Sequence, residues 1–252
     1  MQSYSFFGIK FENLTEAAAR ERIAAFCDDG QTRKIFTPNA SILEKARGDA
    51  YLLSMLESAD LLLADGCGIS LATKILHGES VERITGIDTG FWLMRYAADH
   101  SLSVFLLGGK PDVAERAKQK LEAEIADLRI CGVHHGYFDT AESSFENARV
   151  IDYIKRSGAD IVFVCMGFPS QERWICENAH KLPSVKVLMG LGGSLDVWAG
   201  DTRRAPAIIQ KMGLEWLYRC VREPKRFSKI YLLPRFLLHA LAKTNFEKSI
   251  DK

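Results

Sequence analysis

Several features are missing from this chain, and each absence removes a class of protein. No stretch approaches the roughly 20 apolar residues that a membrane-spanning helix needs. The longest candidate, Ile230 to Ala242, is interrupted by Pro234, Arg235 and His239. The first ten residues lack a basic start followed by an apolar run, so no signal peptide is expected there. The six cysteines (Cys27, Cys67, Cys131, Cys165, Cys176 and Cys220) include no Cys-x-x-Cys pair. That argues against a disulfide scaffold or a zinc site and for reduced, buried thiols. Gly108-Gly109-Lys110 starts like a phosphate loop, but Pro111 stands where Ser or Thr is required. Gly190-Leu191-Gly192-Gly193 only partly echoes a dinucleotide fingerprint, and no Gly-x-Ser-x-Gly elbow occurs. No Asp-x-Asp pair is present either. In sugar-nucleotide chemistry such a pair commonly holds the metal that neutralises a diphosphate.

Net charge is nearly absent too, at +1 from 33 basic and 32 acidic residues among 252. The total conceals a division. Residues 203–252 carry 12 Lys and Arg against four Asp and Glu, leaving 21 against 28 for the rest. A mildly acidic body, 1–201, thus precedes a strongly basic segment, 202–252, of the kind that meets anions.

In the body, apolar runs alternate with helical patterns. Lys34–Thr37, Leu61–Ala64, Val104–Leu107, Ile161–Met166 and Val185–Met189 read as buried strands. Ser41–Ala50, Pro111–Ala126 and Ser170–His180 read as helices. This predicts an α/β fold, Rossmann-like, with a mostly parallel sheet covered by helices on both faces. Ligands of such sheets sit beyond the carboxyl ends of the strands. There the topology would gather Thr37, Asn39, Asp65, Gly109, Gln171 and Ser194. After Thr202 the alternation stops. Ala205–Val221 reads as one helix and Arg226–Lys243 as a second amphipathic stretch kinked at Pro234.

Asp65 ends an apolar strand and precedes Gly66-Cys67-Gly68. A carboxylate so placed can act as a general base or can cap the next helix. The glycines after the strands serve either as tight turns or as points where backbone approaches a ligand. His134-His135, being adjacent, diverge and read as satisfied histidines rather than a metal pair. In the basic segment, Arg203, Arg204, Lys211, Arg219, Arg222, Lys225, Arg226, Lys229 and Arg235 interleave with Trp216, Tyr218, Phe227, Tyr231 and Phe236. Such a mixture fits nucleic acid or an anionic lipid surface. Its high apolar content favours the membrane, or burial against a partner, over a nucleic-acid arm. Off the membrane, such a segment is expected to self-associate or dock on a neighbour.

The ordered segments Thr37-Pro38-Asn39, Leu63–Gly68, Arg83–Asp88, Phe105–Pro111, Gly136–Phe138, Met166–Glu172, Gly190–Asp196, Ala199-Gly200, Arg204–Pro206 and Gly213–Arg219 resemble the WecG/TagA/CpsF family of bacterial glycosyltransferases. The resemblance runs along nearly the whole chain. It implies an inverting, metal-independent hexosyltransferase with no cofactor, peripheral on the inner face of the bacterial cell membrane. The implied donor is a UDP-sugar carrying N-acetylmannosamine, its uronate or glucuronate. The implied acceptor is a polyprenyl-diphosphate-linked amino sugar, as in teichoic acid, common antigen or exopolysaccharide synthesis.

By the same resemblance Asp65 is the base, and Thr37, Asn39 and Gln171 line the sugar and acceptor. Arg83 stands near the donor diphosphate or the acceptor. Tyr137 and Asp196 hold the uracil, with Gly109, Gly167 and Gly192 in the same UDP site. Arg219, Arg222 and Arg226 reach over the site from the C-terminal appendage. Ser170 departs from the family, where many members carry Lys.

Overall fold

The computed structural model describes residues 2–222 and 231–250. It opens with a hairpin, β1 (Ser3–Phe6) and β2 (Ile9–Glu12), which pairs antiparallel and stands apart from the main sheet. Next come α1 (Glu16–Asp28), β3 (Arg33–Phe36), α2 (Ala40–Ala46), α3 (Ala50–Glu57), β4 (Leu61–Leu62), α4 (Cys67–His77) and α5 (Gly86–Asp99). The chain continues through β5 (Ser103–Gly108), α6 (Val113–Glu124), β6 (Arg129–His134), α7 (Phe145–Ser157), β7 (Ile161–Cys165), α8 (Ser170–Asn178), β8 (Val187–Gly190) and α9 (Ser194–Trp198). Three further helices, α10 (Ala207–Lys211), α11 (Glu215–Arg222) and α12 (Leu232–Ile250), close the described chain.

Six strands form one parallel sheet in the order β4-β3-β8-β7-β5-β6. The continuous apolar runs of β5, β7 and β8 are buried at every position. That is the expected consequence of covering a parallel sheet on both faces. The pleat sorts the side chains. Val104, Leu106, Phe163 and Met189 point to a core shared with α1, α5, α6 and α9. Phe105, Leu107, Val162, Val164 and Leu188 point to a second core shared with the hairpin, α2, α4, α7, α8 and α12. A one-residue slip of any central strand would exchange the two sets.

Three helix expectations are corrected. The Ser41–Ala50 helix is two helices: α2 ends at Ala46, Gly48 takes a φ of +86°, and Asp49 caps α3 by accepting from Tyr51 and Leu52 N–H. The Ala205–Val221 helix is broken by Gly213, whose φ is +73°. A side chain there would bring a Cβ within 3.0 Å of the Cys67 Cβ. Pro234 does not kink a helix; it lies in the first turn of α12, where its missing N–H would have had no partner. Residues 223–230, which include the first five of that expected stretch, lie outside the described residues.

The C-terminal helix is fastened to the body. Phe236 is 0 % exposed and packs on Phe6 and Phe7 of the hairpin at ring-centroid distances of 5.4 and 5.8 Å. Beside it, the Glu44 carboxylate of α2, 2 % exposed, takes Arg235 and His239 of α12, both at 3.0 Å.

Candidate active site

A cavity of about 370 Å³ opens at the carboxyl ends of β3, β4, β7 and β8. Thr37, Asn39, Asp65, Arg83, Gln171 and Gly192 all line it. They come from five separate loops or helix starts, so the topology brings together what the sequence scatters.

The local reasons differ. Asn39 is the N-cap of α2, its Oδ1 accepting from Ser41 and Ile42 N–H at 3.0 and 3.1 Å. The oxygen is committed, and the amide nitrogen is the end left to meet a ligand. Thr37 donates its hydroxyl to the Gly190 carbonyl at 3.3 Å, tying the end of β3 to the end of β8. Only glycine fits at position 86, because a Cβ there would stand 2.8 Å from the Thr37 Oγ1. Asp65 follows β4, its N–H donating to the Pro38 carbonyl. It is not the cap of α4. That place belongs to Gly66 (φ +81°), and no side chain caps the helix. Of the two roles open to Asp65 in the sequence, capping is therefore removed.

The starts of α4 (Gly66, Cys67, Gly68) and α5 (Thr85, Gly86, Ile87) both line the cavity. Their positive dipole ends and unpaired N–H groups favour an anion there. Lys45 and Arg83 add two cations to the wall. Behind it, Arg204 grips Asp88 in the first turn of α5 at 2.5 and 2.6 Å and lies 3.7 Å from Glu215. Burial pulls the Asp88 carboxyl up, but the Arg204 and Thr85 hydrogen bonds outweigh it and hold it below the ordinary carboxylate range.

The glycine loops behave differently from a phosphate cradle. Gly167 and Gly192, both at positive φ, donate their N–H groups to the Gln171 Oε1 at 3.1 and 2.8 Å. Gly109 donates to the Cys165 carbonyl at 3.2 Å. In this arrangement the three amides are engaged within the protein, so these glycines contribute shape rather than donors. Gly109, Gly167, Tyr137 and Asp196 are not among the residues lining the cavity. They stand beside it along the same sheet edge. Gly109 packs near Val113 and Leu195, Asp196 is next to Gly193, and Tyr137 is 67 % exposed beyond β6. His134 and His135 are engaged locally, the first with the His135 carbonyl and the second with the Tyr137 N–H. Among the described residues no three His, Cys, Asp or Glu side chains form a group that could hold a metal ion.

The last wall comes from the basic segment. Glu215, Trp216 and Cys220 of α11 and Leu233 of α12 line the cavity. Cys67 at the start of α4 lines the same cavity, and burial raises its thiol pKa. Leu233 packs so closely on α4 that a Cβ on Gly68 would stand 2.6 Å from its Cδ1. Arg219 and Arg222 lie on α11, and Arg226 is outside the described residues. The sequence marks Trp216 as one of the aromatics set among the arginines of the basic segment, but nothing in its spacing assigned it to the cavity.

A family model for glycosyl transferases of the WecG/TagA/CpsF family matches residues 4–249. The chain belongs to this family. It is similar to the N-acetylglucosaminyldiphosphoundecaprenol N-acetyl-beta-D-mannosaminyltransferases of Staphylococcus aureus strains MW2 and MRSA252. Each is 34 % identical over 245 residues, covering 96 % of this chain and 94 % of the relative. As a WecG/TagA/CpsF member the chain is a glycosyltransferase.

Proposed function

We propose that the protein transfers N-acetylmannosamine from a UDP-sugar to N-acetylglucosaminyl-diphosphoundecaprenol, in one inverting displacement and without a metal ion. The Staphylococcus relatives carry this sugar and this acceptor in their names. The observation that carries the mechanism is Asp65: a carboxylate on the cavity wall, at a strand end, with the capping of α4 done without it.

In this reading Asp65 removes the proton from the acceptor hydroxyl as its oxygen bonds to the anomeric carbon. The bond to UDP breaks on the opposite side, and the charge arriving on the diphosphate is met by Arg83 and the starts of α4 and α5. Arg219, Arg222 and Arg226 add guanidinium groups from the C-terminal segment; their fork geometry and permanent charge suit phosphate oxygens. Thr37, Asn39 and Gln171 shape the sugar and acceptor subsite. Tyr137 and Asp196 take the uracil, and Gly109, Gly167 and Gly192 leave room for the nucleotide to approach. The lack of any Asp-x-Asp pair in the sequence supports the metal-free form. A uronate donor is the alternative within the family, since it differs by one oxidised carbon.

The body 1–201 then holds the chemistry, and 202–252 completes it at a membrane. No helix among the described residues is long and apolar enough to cross a bilayer. Ile208, Met212, Val221, Tyr231 and Leu238 of the C-terminal segment are exposed. This apolar surface, with the basic surplus, fits peripheral binding to an anionic inner leaflet, or self-association away from it.

The test is UDP release with the lipid-linked acceptor. Asp65→Asn should lower turnover by about 10²- to 10⁴-fold with an unchanged melting temperature. Near-normal turnover would remove Asp65 as the base. Activity abolished by EDTA and restored by magnesium would overturn the metal-free mechanism.

A further inference from the structure

Gln171 is expected at the sugar, yet the residue is 3 % exposed and its carboxamide is engaged at both ends. Its Oε1 accepts from Gly167, in the loop after β7, and from Gly192, in the loop after β8. Its Nε2 donates to the Glu172 Oε1 at 2.9 Å. The side chain runs behind the end of β8, where a Cβ on Gly190 would stand 2.8 Å from Nε2 and push the carboxamide aside. Phe168 and Gly192, the cavity-lining parts of the two loops, are thus held at a spacing set by one oxygen atom.

The orientation of that carboxamide is set by the two glycine N–H groups together with Glu172. If it turned over, the NH₂ group would face two N–H donors, and the oxygen would face a carboxyl oxygen. Glu172 is 2 % exposed, and its Oε2 has no hydrogen-bond partner among the described residues. A buried polar atom without a partner is costly, so this carboxyl is not there for its own stability. The Thr37 hydroxyl on the Gly190 carbonyl continues the same stitching one strand further.

We infer that Glu172 and Gln171 form a positioning pair: Glu172 fixes the Gln171 carboxamide, and Gln171 fixes the gap between the two loops that floor the transfer site. The inference rests on the glycosyltransferase reading for its effect on turnover, but the clamp itself can be read without it.

Two measurements decide it. The first exchanges the partners. Gln171→Glu sets two carboxyls against each other and should lower kcat/KM by about 30-fold or more. The double variant Gln171→Glu/Glu172→Gln restores one amide donor facing one carboxylate. It should return to within about tenfold of the starting protein, with KM for the donor recovering alongside kcat. A double variant no better than the single one overturns the pair. Should Gln171→Glu not fold, the double variant still decides: folded and active supports the pair, unfolded or inactive overturns it.

The second measurement follows amide hydrogen exchange by NMR in Gln171→Met. Gly167 and Gly192 N–H should both exchange about tenfold faster or more, while Leu106 in β5 stays protected. Unchanged exchange at either glycine overturns the clamp. If the starting protein fails to transfer sugar to the lipid-linked acceptor, the substrate reading falls and the exchange result still stands. If it transfers normally and the swap is dead, only the pair falls.

Discussion

The two halves of the cavity wall are built by different means. The body's side is made of strand ends and glycine turns, held by the sheet and by hydrogen bonds such as Thr37 to Gly190. The C-terminal side is made of side chains, Glu215, Trp216, Cys220 and Leu233, held by ion pairs and one buried ring. Arg204 reaches Asp88, while Arg235 and His239 reach Glu44. The opposed charges of body and tail, which in the sequence pointed only outward to an anionic partner, are therefore partly engaged with one another. A basic segment can be both a docking device and an anion-seeking surface, and its net charge does not say how the two are shared.

Phe236→Ala tests that division most severely. Removing a fully buried aromatic side chain costs about 3–5 kcal/mol. If α12 is held separately from the sheet, protease sites in 231–250 should open while the body melts near its original temperature. A body that unfolds together with α12, by the same shift, would show that the two walls belong to one cooperative unit.

Arg204→Ala is the next, smaller break. It leaves Asp88, itself half-exposed, without its two-pronged partner and frees the approach of α11. The stability cost should be about 1–2 kcal/mol, and turnover should fall more than melting temperature, because Trp216 and Glu215 are displaced from the cavity. Added salt should reproduce part of the turnover loss in the unaltered protein and little of it in Arg204→Ala. Equal salt sensitivity in both would mean that this ion pair does not hold the C-terminal wall.

The sequence was informative where a signal was local. Apolar runs ending in glycine located β5, β7 and β8, and with them the edge where Asp65, Gln171 and Gly192 meet. It was less informative where the partner is distant. Arg204 and Asp88 are 116 positions apart, and Glu44 and His239 are 195 apart. Nothing in the spacing of a basic residue names the acid it will find. The hairpin escaped notice because its strands are four residues long, too short for the alternation of Tyr4, Phe6, Ile9 and Phe11 to stand out. Asn39 and Gln171 looked like ligand groups since polar residues after strands usually face the site. Here part of each is used for capping or clamping, a distinction that depends on which N–H groups the fold brings within reach.

The smallest expected effect separates the walls by pH. Burial pushes the Glu172 carboxyl above its ordinary value, with the Gln171 hydrogen bond and a backbone N–H opposing it incompletely. A raised carboxyl pKa favours the fold below the ordinary carboxylate range, and that contribution is lost as pH rises through the raised value. Asp88 has the opposite sign: its contribution is present above the ordinary range and is lost as pH falls through the lowered value. Glu172→Gln, neutral at every pH, should therefore raise the melting temperature at pH 8 by about 2 °C and change it less at pH 4.5. Asp88→Asn should lower it at pH 8 and by a diminishing amount as the solution is acidified. If both variants shift with pH in the same direction, then Glu172 is stabilised as an anion in its buried position. Its unpartnered oxygen would then have to be satisfied by something other than the described residues.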